Sequence, residues 1–203
     1  MIHNRLIMLD WDDTLFPTSW TVIKAIDLTD SNVRQKYVSY FTELDDILSK
    51  FLHKCTNKGQ VFIVTNAVKR WVVTSSNVLP KTKKIIDDKI FIISARDLFQ
   101  QKNPNNMEKW KKYTFEQIVN KHDFKKQENT NFEHIISIGD AEYEFNALIN
   151  LYSHKNKKRI LKSIRFLATP TYDSLIDQLE VLYDTIDKIC HCKKHMDLKF
   201  KQY

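Results

Sequence analysis

At 203 residues the chain is long enough for one α/β domain with a sizeable core, or such a domain with a small appendage, and too short for two packed domains. Its 42% hydrophobic and 28% charged residues exclude a wholly disordered chain, and no apolar run reaches the length of a membrane span, so no membrane partner is expected. The formal net charge of +7 gathers in short runs at Lys81 to Lys84, Lys109 to Lys112, Lys125-Lys126, Lys155 to Arg159 and Lys193-Lys194. Such a surface suits phosphorylated substrates or nucleic acid; runs this scattered also fit an ordinary solvated surface. Met1 to Arg5 lacks a signal-peptide pattern and there are three cysteines, Cys55, Cys190 and Cys192, which together point to a reducing compartment, the cytoplasm or the nucleus.

Taken in order, Leu6 to Leu9 is an apolar run without period-2 alternation, which predicts a strand covered on both faces. Pro17 closes the loop behind it. Val33, Tyr37, Phe41, Leu44, Leu48 and Leu52 then recur at steps of three or four and predict a helix over 31–54 with one apolar face. Gly59 separates that helix from a second strand over 60–66, and a helix over 67–78, stopped by Pro80, leads to a third strand over 89–95. Asn103 to Asn106 is a turn, and Trp110, Phe115, Ile118 and Val119 predict a helix over 107–121. The polar, lysine-rich stretch from Asp123 to Asn131 is the best candidate for a mobile loop. A fourth strand over 134–140 ends in Gly139-Asp140 and opens into a helix holding Glu142, Glu144, Ala147 and Leu148. A further strand over 160–167 and a helix over 172–189 complete the body, and residues 191–203 read as a basic tail. The tail's Cys190-His191-Cys192 and His195 fit none of the strong zinc spacings. Strands alternating with helices imply an α/β, three-layer Rossmann-like fold with a mainly parallel central sheet.

In such sheets chemistry sits just beyond the carboxyl ends of the strands. Asp10, Asp12 and Asp13 cluster beyond the first strand, and three neighbouring carboxylates call for a cation; their oxygen donors favour Mg²⁺. The plainer reading of the same cluster is an acidic turn or a helix N-cap. Thr65 and Asn66 end the second strand in the same manner, with a hydroxyl and an amide. Only two glycines occur in the chain, and one of them, Gly139, directly precedes Asp140, which points to a turn that needs unhindered backbone.

Asp10-Trp11-Asp12-Asp13-Thr14 after a hydrophobic strand, Thr65 after a second strand and Gly139-Asp140 with Glu144 resemble the motifs of the haloacid dehalogenase (HAD) superfamily of phosphotransferases. The likeness spans 6–148. Uncharacterised HAD-like proteins of unicellular eukaryotes are similar in carrying Trp-Asp-Asp-Thr at the first motif and Thr-Asn-Ala, then a tryptophan matching Trp71, at the second. The resemblance implies a Mg²⁺-dependent phosphatase in which Asp10 is the nucleophile and Asp12 the general acid and base. It implies that Thr65 and Asn66 bind phosphoryl oxygens together with a lysine, for which Lys111 is the choice among Lys109, Lys111 and Lys112. The metal would be held by the Asp10 carboxylate, the Asp12 backbone carbonyl and Asp140. Glu144 stands where many members carry Asp, so it would act through water or hold Lys111. With at most a minimal cap over 15–58, the mouth would be open to small or macromolecular phosphates, and Trp11, Phe16, Trp20 and Trp71 either line it or pack in the core. Two alternatives to a general phosphatase stay open, a nucleic-acid 3′-end phosphatase and a non-catalytic HAD-like binding module.

Overall fold

The computed structural model describes residues 5–124, 134–152 and 159–201, with the backbone alone for 121–124. Six parallel strands form one sheet: β1 (Arg5–Leu9), β2 (Gln60–Thr65), β3 (Phe91–Ser94), β4 (His134–Gly139), β5 (Ile160–Arg165) and β6 (Met196–Lys199), in the order β3-β2-β1-β4-β5-β6. Each central strand is apolar on both sides because each serves two cores. From β1, Ile7 and Leu9 point into one cluster while Leu6 and Met8 point into the other, and Val61 and Ile63 against Phe62 and Val64 repeat the division on β2. Leu6, Ile7 and Leu9 are wholly buried, each contributing roughly 1.5–3 kcal/mol relative to exposure.

One face is covered by α3 (Val38–Lys58), α5 (Pro80–Lys89) and α9 (Tyr172–His191), the other by α7 (Met107–Phe124) and α8 (Glu142–Asn150). The result is a three-layer, Rossmann-like α/β fold. Shorter helices, α1 (Thr18–Ile23), α2 (Ser31–Lys36), α4 (Lys69–Ser76) and α6 (Ala95–Phe99), follow the loops at the carboxyl edge or connect to the layers. The chain lays β2 and β3 on one side of β1 and then returns to lay β4, β5 and β6 on the other. Strand order therefore reverses between β1 and β4, and the crevice outside the carboxyl ends at such a reversal is where open α/β sheets bind ligands. Asp10 and Asp140 follow the two strands that flank it.

Several expectations shift. The helix expected over 31–54 is broken at Tyr37, whose ring lies edge-on to Trp20 at 5.7 Å, and its longer part runs on to Lys58. Pro80 does not stop a helix; it starts α5 at the first turn, where its missing N–H costs nothing. The residues after Cys190 are not simply a tail, since Met196–Lys199 pairs in parallel with β5 as an edge strand. Of 15–58, read as holding at most a minimal cap, α3 belongs to the helical layer of the body and packs on α5 and α9. Of the candidate mobile loop at Asp123 to Asn131, residues 123–124 belong to α7 and the rest lies outside the described residues. Cys55, Cys190 and Cys192 are free thiols. The carbonyls ending α9 are taken up by charged side chains from the sheet, Arg5 Nε donating to Cys190 O at 3.1 Å and the buried Lys162 Nζ donating to Ile189 O.

Candidate active site

β1 ends as Asp10 N donates to Ile138 O at 2.9 Å, the last rung joining it to β4, and the chain then folds into a tight loop. The carbonyl of Trp11 accepts from Leu15 N and Phe16 N, both at 2.9 Å, so residues 11–16 close on themselves. Trp11 and Phe16 are fully buried and stack at 5.8 Å, which places them in the core; Trp20 and Trp71 are half-buried. Asp13 sits at φ 54°, a left-handed conformation that Asp tolerates better than most residues. Its carboxylate accepts from Ser19 N at 2.8 Å and Ser19 Oγ at 2.5 Å. Asp13 is thus an acidic turn residue that ties down the first turn of α1, whose N-cap position is Pro17.

Asp12 is held differently. Its Oδ1 accepts from Thr18 Oγ1 at 2.6 Å and from Trp71 Nε1 at 2.7 Å, and its Oδ2 accepts from Thr65 Oγ1 at 3.1 Å. Thr65, buried at the end of β2, also accepts from Ala67 N at 2.9 Å. Asn66 donates from Nδ2 to Met107 O at 3.4 Å, while its Oδ1 is buried with no hydrogen-bond partner among the described residues.

Lys111 enters from α7. It is 1% exposed, and its Nζ donates to Asp10 Oδ1 at 2.5 Å and to Glu144 Oε1. Lys109 is exposed and Lys112 half-buried, so the lysine in contact with Asp10 is the one the resemblance favoured. Glu144, 4% exposed, uses its other oxygen to accept from Ala141 N at 3.2 Å at the start of α8. Gly139 is needed here, though not for its backbone angles, since neither glycine has a positive φ. A Cβ on Gly139 would lie 2.4 Å from Glu144 Cγ. The glycine makes room for the carboxylate that holds Lys111. Asp140 completes the group, with Thr14 Oγ1 at 3.5 Å from its Oδ1.

No known protein family, curated protein or solved structure matches the chain.

The arrangement carries more negative charge than one lysine offsets. Burial pushes the Asp10 carboxyl well above the usual range, with Glu144 and Asp140 adding to the effect and Lys111 opposing it. Burial and then Glu144 push Asp140 up to about 7, again against Lys111. Burial disfavours the charge on Lys111, yet Asp10 and Glu144 outweigh it and hold its pKa above the usual value. Among the described residues no group of three or more His, Cys, Asp or Glu side chains forms an all-protein cage. Mg²⁺ does not require one, because it is commonly held by one or two carboxylates with waters and substrate phosphate. Asp10 and Asp140, which follow the neighbouring strands β1 and β4, could serve in that way.

The site thus brings together Asp10, Asp12, Thr65, Lys111, Asp140 and Glu144 at one sheet edge, with Asn66 at its side. Sequence reasoning missed Thr18, a hydroxyl opening α1, a helix too short to show a period. It also gave Trp71 no role as a donor, although Trp71 and Ser75 fall on one helical face.

Proposed function

We propose that this chain is a Mg²⁺-dependent phosphatase working through a phosphoryl group carried on Asp10. The observation that supports it most is the buried Lys111 bridging Asp10 and Glu144 at the strand-order reversal, with Asp12 two residues on from Asp10. An Asp10 oxygen attacks phosphorus as the bond to the leaving oxygen breaks, and Asp12 gives that oxygen its proton. Asp12 then takes a proton from water, whose oxygen attacks the phosphoryl group and returns Asp10 to a carboxylate with release of phosphate. Thr65 and Lys111 hold phosphoryl oxygens and balance their charge. Asp10, Asp140 and the Asp12 carbonyl would hold Mg²⁺, which would supply electrostatic stabilisation of the charge on the phosphoryl oxygens.

The net charge of +7 favours anionic substrates, and a nucleic-acid 3′-phosphate is the macromolecular form this reading allows. The test is hydrolysis of an aryl phosphate, with and without Mg²⁺, by the wild type, Asp10→Asn and Asp12→Asn, followed by phosphorylated oligonucleotides and phosphopeptides. Turnover by the wild type alone, and only with metal, is the expected result. Substantial turnover by Asp10→Asn would remove the nucleophile from the scheme, and Mg²⁺ binding without turnover of any phosphate would favour a non-catalytic binding module.

A further inference from the structure

The two oxygens of Asp12 have chemically different neighbours. Oδ1 accepts from Trp71 Nε1 at 2.7 Å and Thr18 Oγ1 at 2.6 Å, whereas among the described residues Oδ2 accepts from the Thr65 hydroxyl alone, at 3.1 Å. An indole N–H donates and never accepts, while a hydroxyl does either. A proton on Oδ1 would meet the indole hydrogen and could turn only to Thr18, whereas a proton on Oδ2 finds an acceptor in Thr65 with no donor-only group against it. We infer that Trp71, with Thr18, is a positioning residue that locks Oδ1 as an acceptor and makes Oδ2 the atom through which Asp12 gives and takes its proton. This rests on the reading of Asp12 as the acid and base of the proposed reaction.

The lock is rigid because the indole is itself held. Phe16 meets Trp71 edge-on at 5.9 Å and stacks on Trp11 and on Phe41. The helix α4 that carries Trp71 is tied back to the loop, since Trp11 Nε1 donates to Ser75 Oγ at 2.9 Å and Ser75 Oγ donates to Trp71 O at 2.7 Å. Trp11, lying between Asp10 and Asp12 in the chain, therefore holds α4, and α4 holds Asp12. Turning the Asp12 carboxylate would break the bonds from both Trp71 and Thr18.

The Thr65 hydroxyl has one proton to donate, and it is spent on Asp12 Oδ2 here. Given instead to a phosphoryl oxygen, it frees Oδ2 while Oδ1 stays fixed. Substrate binding and release of the proton-carrying oxygen are then one event.

Trp71→Phe keeps the ring against Phe16 and removes the donor, and Thr18→Val removes the second donor while Thr18→Ser retains it. Each is assayed with Mg²⁺ on an aryl phosphate, whose leaving group needs little protonation, and on an alkyl phosphate, whose leaving group depends on it. Trp71→Phe should lower kcat about tenfold more on the alkyl ester than on the aryl ester with KM little changed, a part of the ~10²–10⁴-fold that a positioned acid supplies. Thr18→Ser should restore what Thr18→Val loses. Should Trp71→Phe fail to fold, the Thr18 pair gives the same comparison. Equal losses on both esters, or a loss confined to KM, would overturn the positioning role and leave the Asp10 chemistry standing. Absence of Asp10-dependent turnover in the wild type would overturn both together. Independently of turnover, the Trp71 indole N–H resonance should move when Asp12 is replaced by Ala, and an unmoved resonance would overturn the lock.

Discussion

Lys111→Met retains the length and apolar stem of the side chain and removes the charge between Asp10 and Glu144. The three side chains are 1%, 9% and 6% exposed, so water cannot take the place of the ammonium. Removing one member of a buried ion pair costs roughly 3–5 kcal/mol, because the charge left behind stays desolvated and unpaired. Here two carboxylates lose the same cation, and the loss is a large share of the ~5–15 kcal/mol that holds a domain folded. Urea unfolding in a chelator at neutral pH reads it directly. With a slope of about 2 kcal/mol per M, the midpoint should fall by about 2 M. Adding Glu144→Gln to Lys111→Met neutralises one stranded carboxylate and should recover about 0.5–3 kcal/mol as a coupling energy. A Lys111→Met protein within about 0.5 kcal/mol of the wild type would refute the buried triad as described.

Three further outcomes follow from the geometry. Gly139→Ala drives a methyl to 2.4 Å from Glu144 Cγ and should cost about 1–3 kcal/mol of overpacking, offset in part by about 0.4–1 kcal/mol gained in the unfolded chain; a melting temperature equal to the wild type's would contradict the close approach. Asp140 has its pKa raised from 3.8 to about 7, so the folded state binds its proton more tightly than the unfolded state, and stability should fall as pH rises through that window. In the metal-free protein Asp140→Asn should flatten this fall and be the more stable form near neutrality, and thermal melts showing the same slope for both proteins would count against the burial of that charge. Asp13→Ala removes both bonds to Ser19 and leaves an alanine at φ 54°, whereas Asp13→Asn suits that angle and keeps an acceptor. The alanine variant should be the less stable by about 1–2 kcal/mol, combining the lost hydrogen bonds with left-handed strain, and equal unfolding midpoints would refute the anchoring role.

The central strands were legible because burial on both faces leaves an unbroken apolar run, as in Leu6 to Leu9 and Ile135-Ile136. β6 was not, since Met-Asp-Leu-Lys at the sheet edge has three exposed residues and no apolar run to announce it. α5 was hidden by a proline that permits two opposite readings, and α1 and α6 are too short to show a period. In the candidate site, Lys111 was singled out by the resemblance; it falls with Phe115 and Ile118 on the buried face of α7, but Lys112 has similar helical spacing to Phe115 and Val119, so periodicity alone does not separate the two. Glu144 shares its face with Ala147 and Leu148 in the same way. Asp12 shows the limit: the three donors to its carboxylate come from α1, β2 and α4, and no local pattern joins Thr18, Thr65 and Trp71.

The most direct measurement is mass analysis of the chain quenched in acid during turnover of a phosphate monoester with Mg²⁺, using Asp12→Asn to slow release of the phosphoryl group. A single phosphoryl group on the peptide containing Asp10, labile to hydroxylamine and missing from Asp10→Asn, is the result expected. Turnover by the wild type with no such adduct, or with the adduct on another residue, would contradict the account.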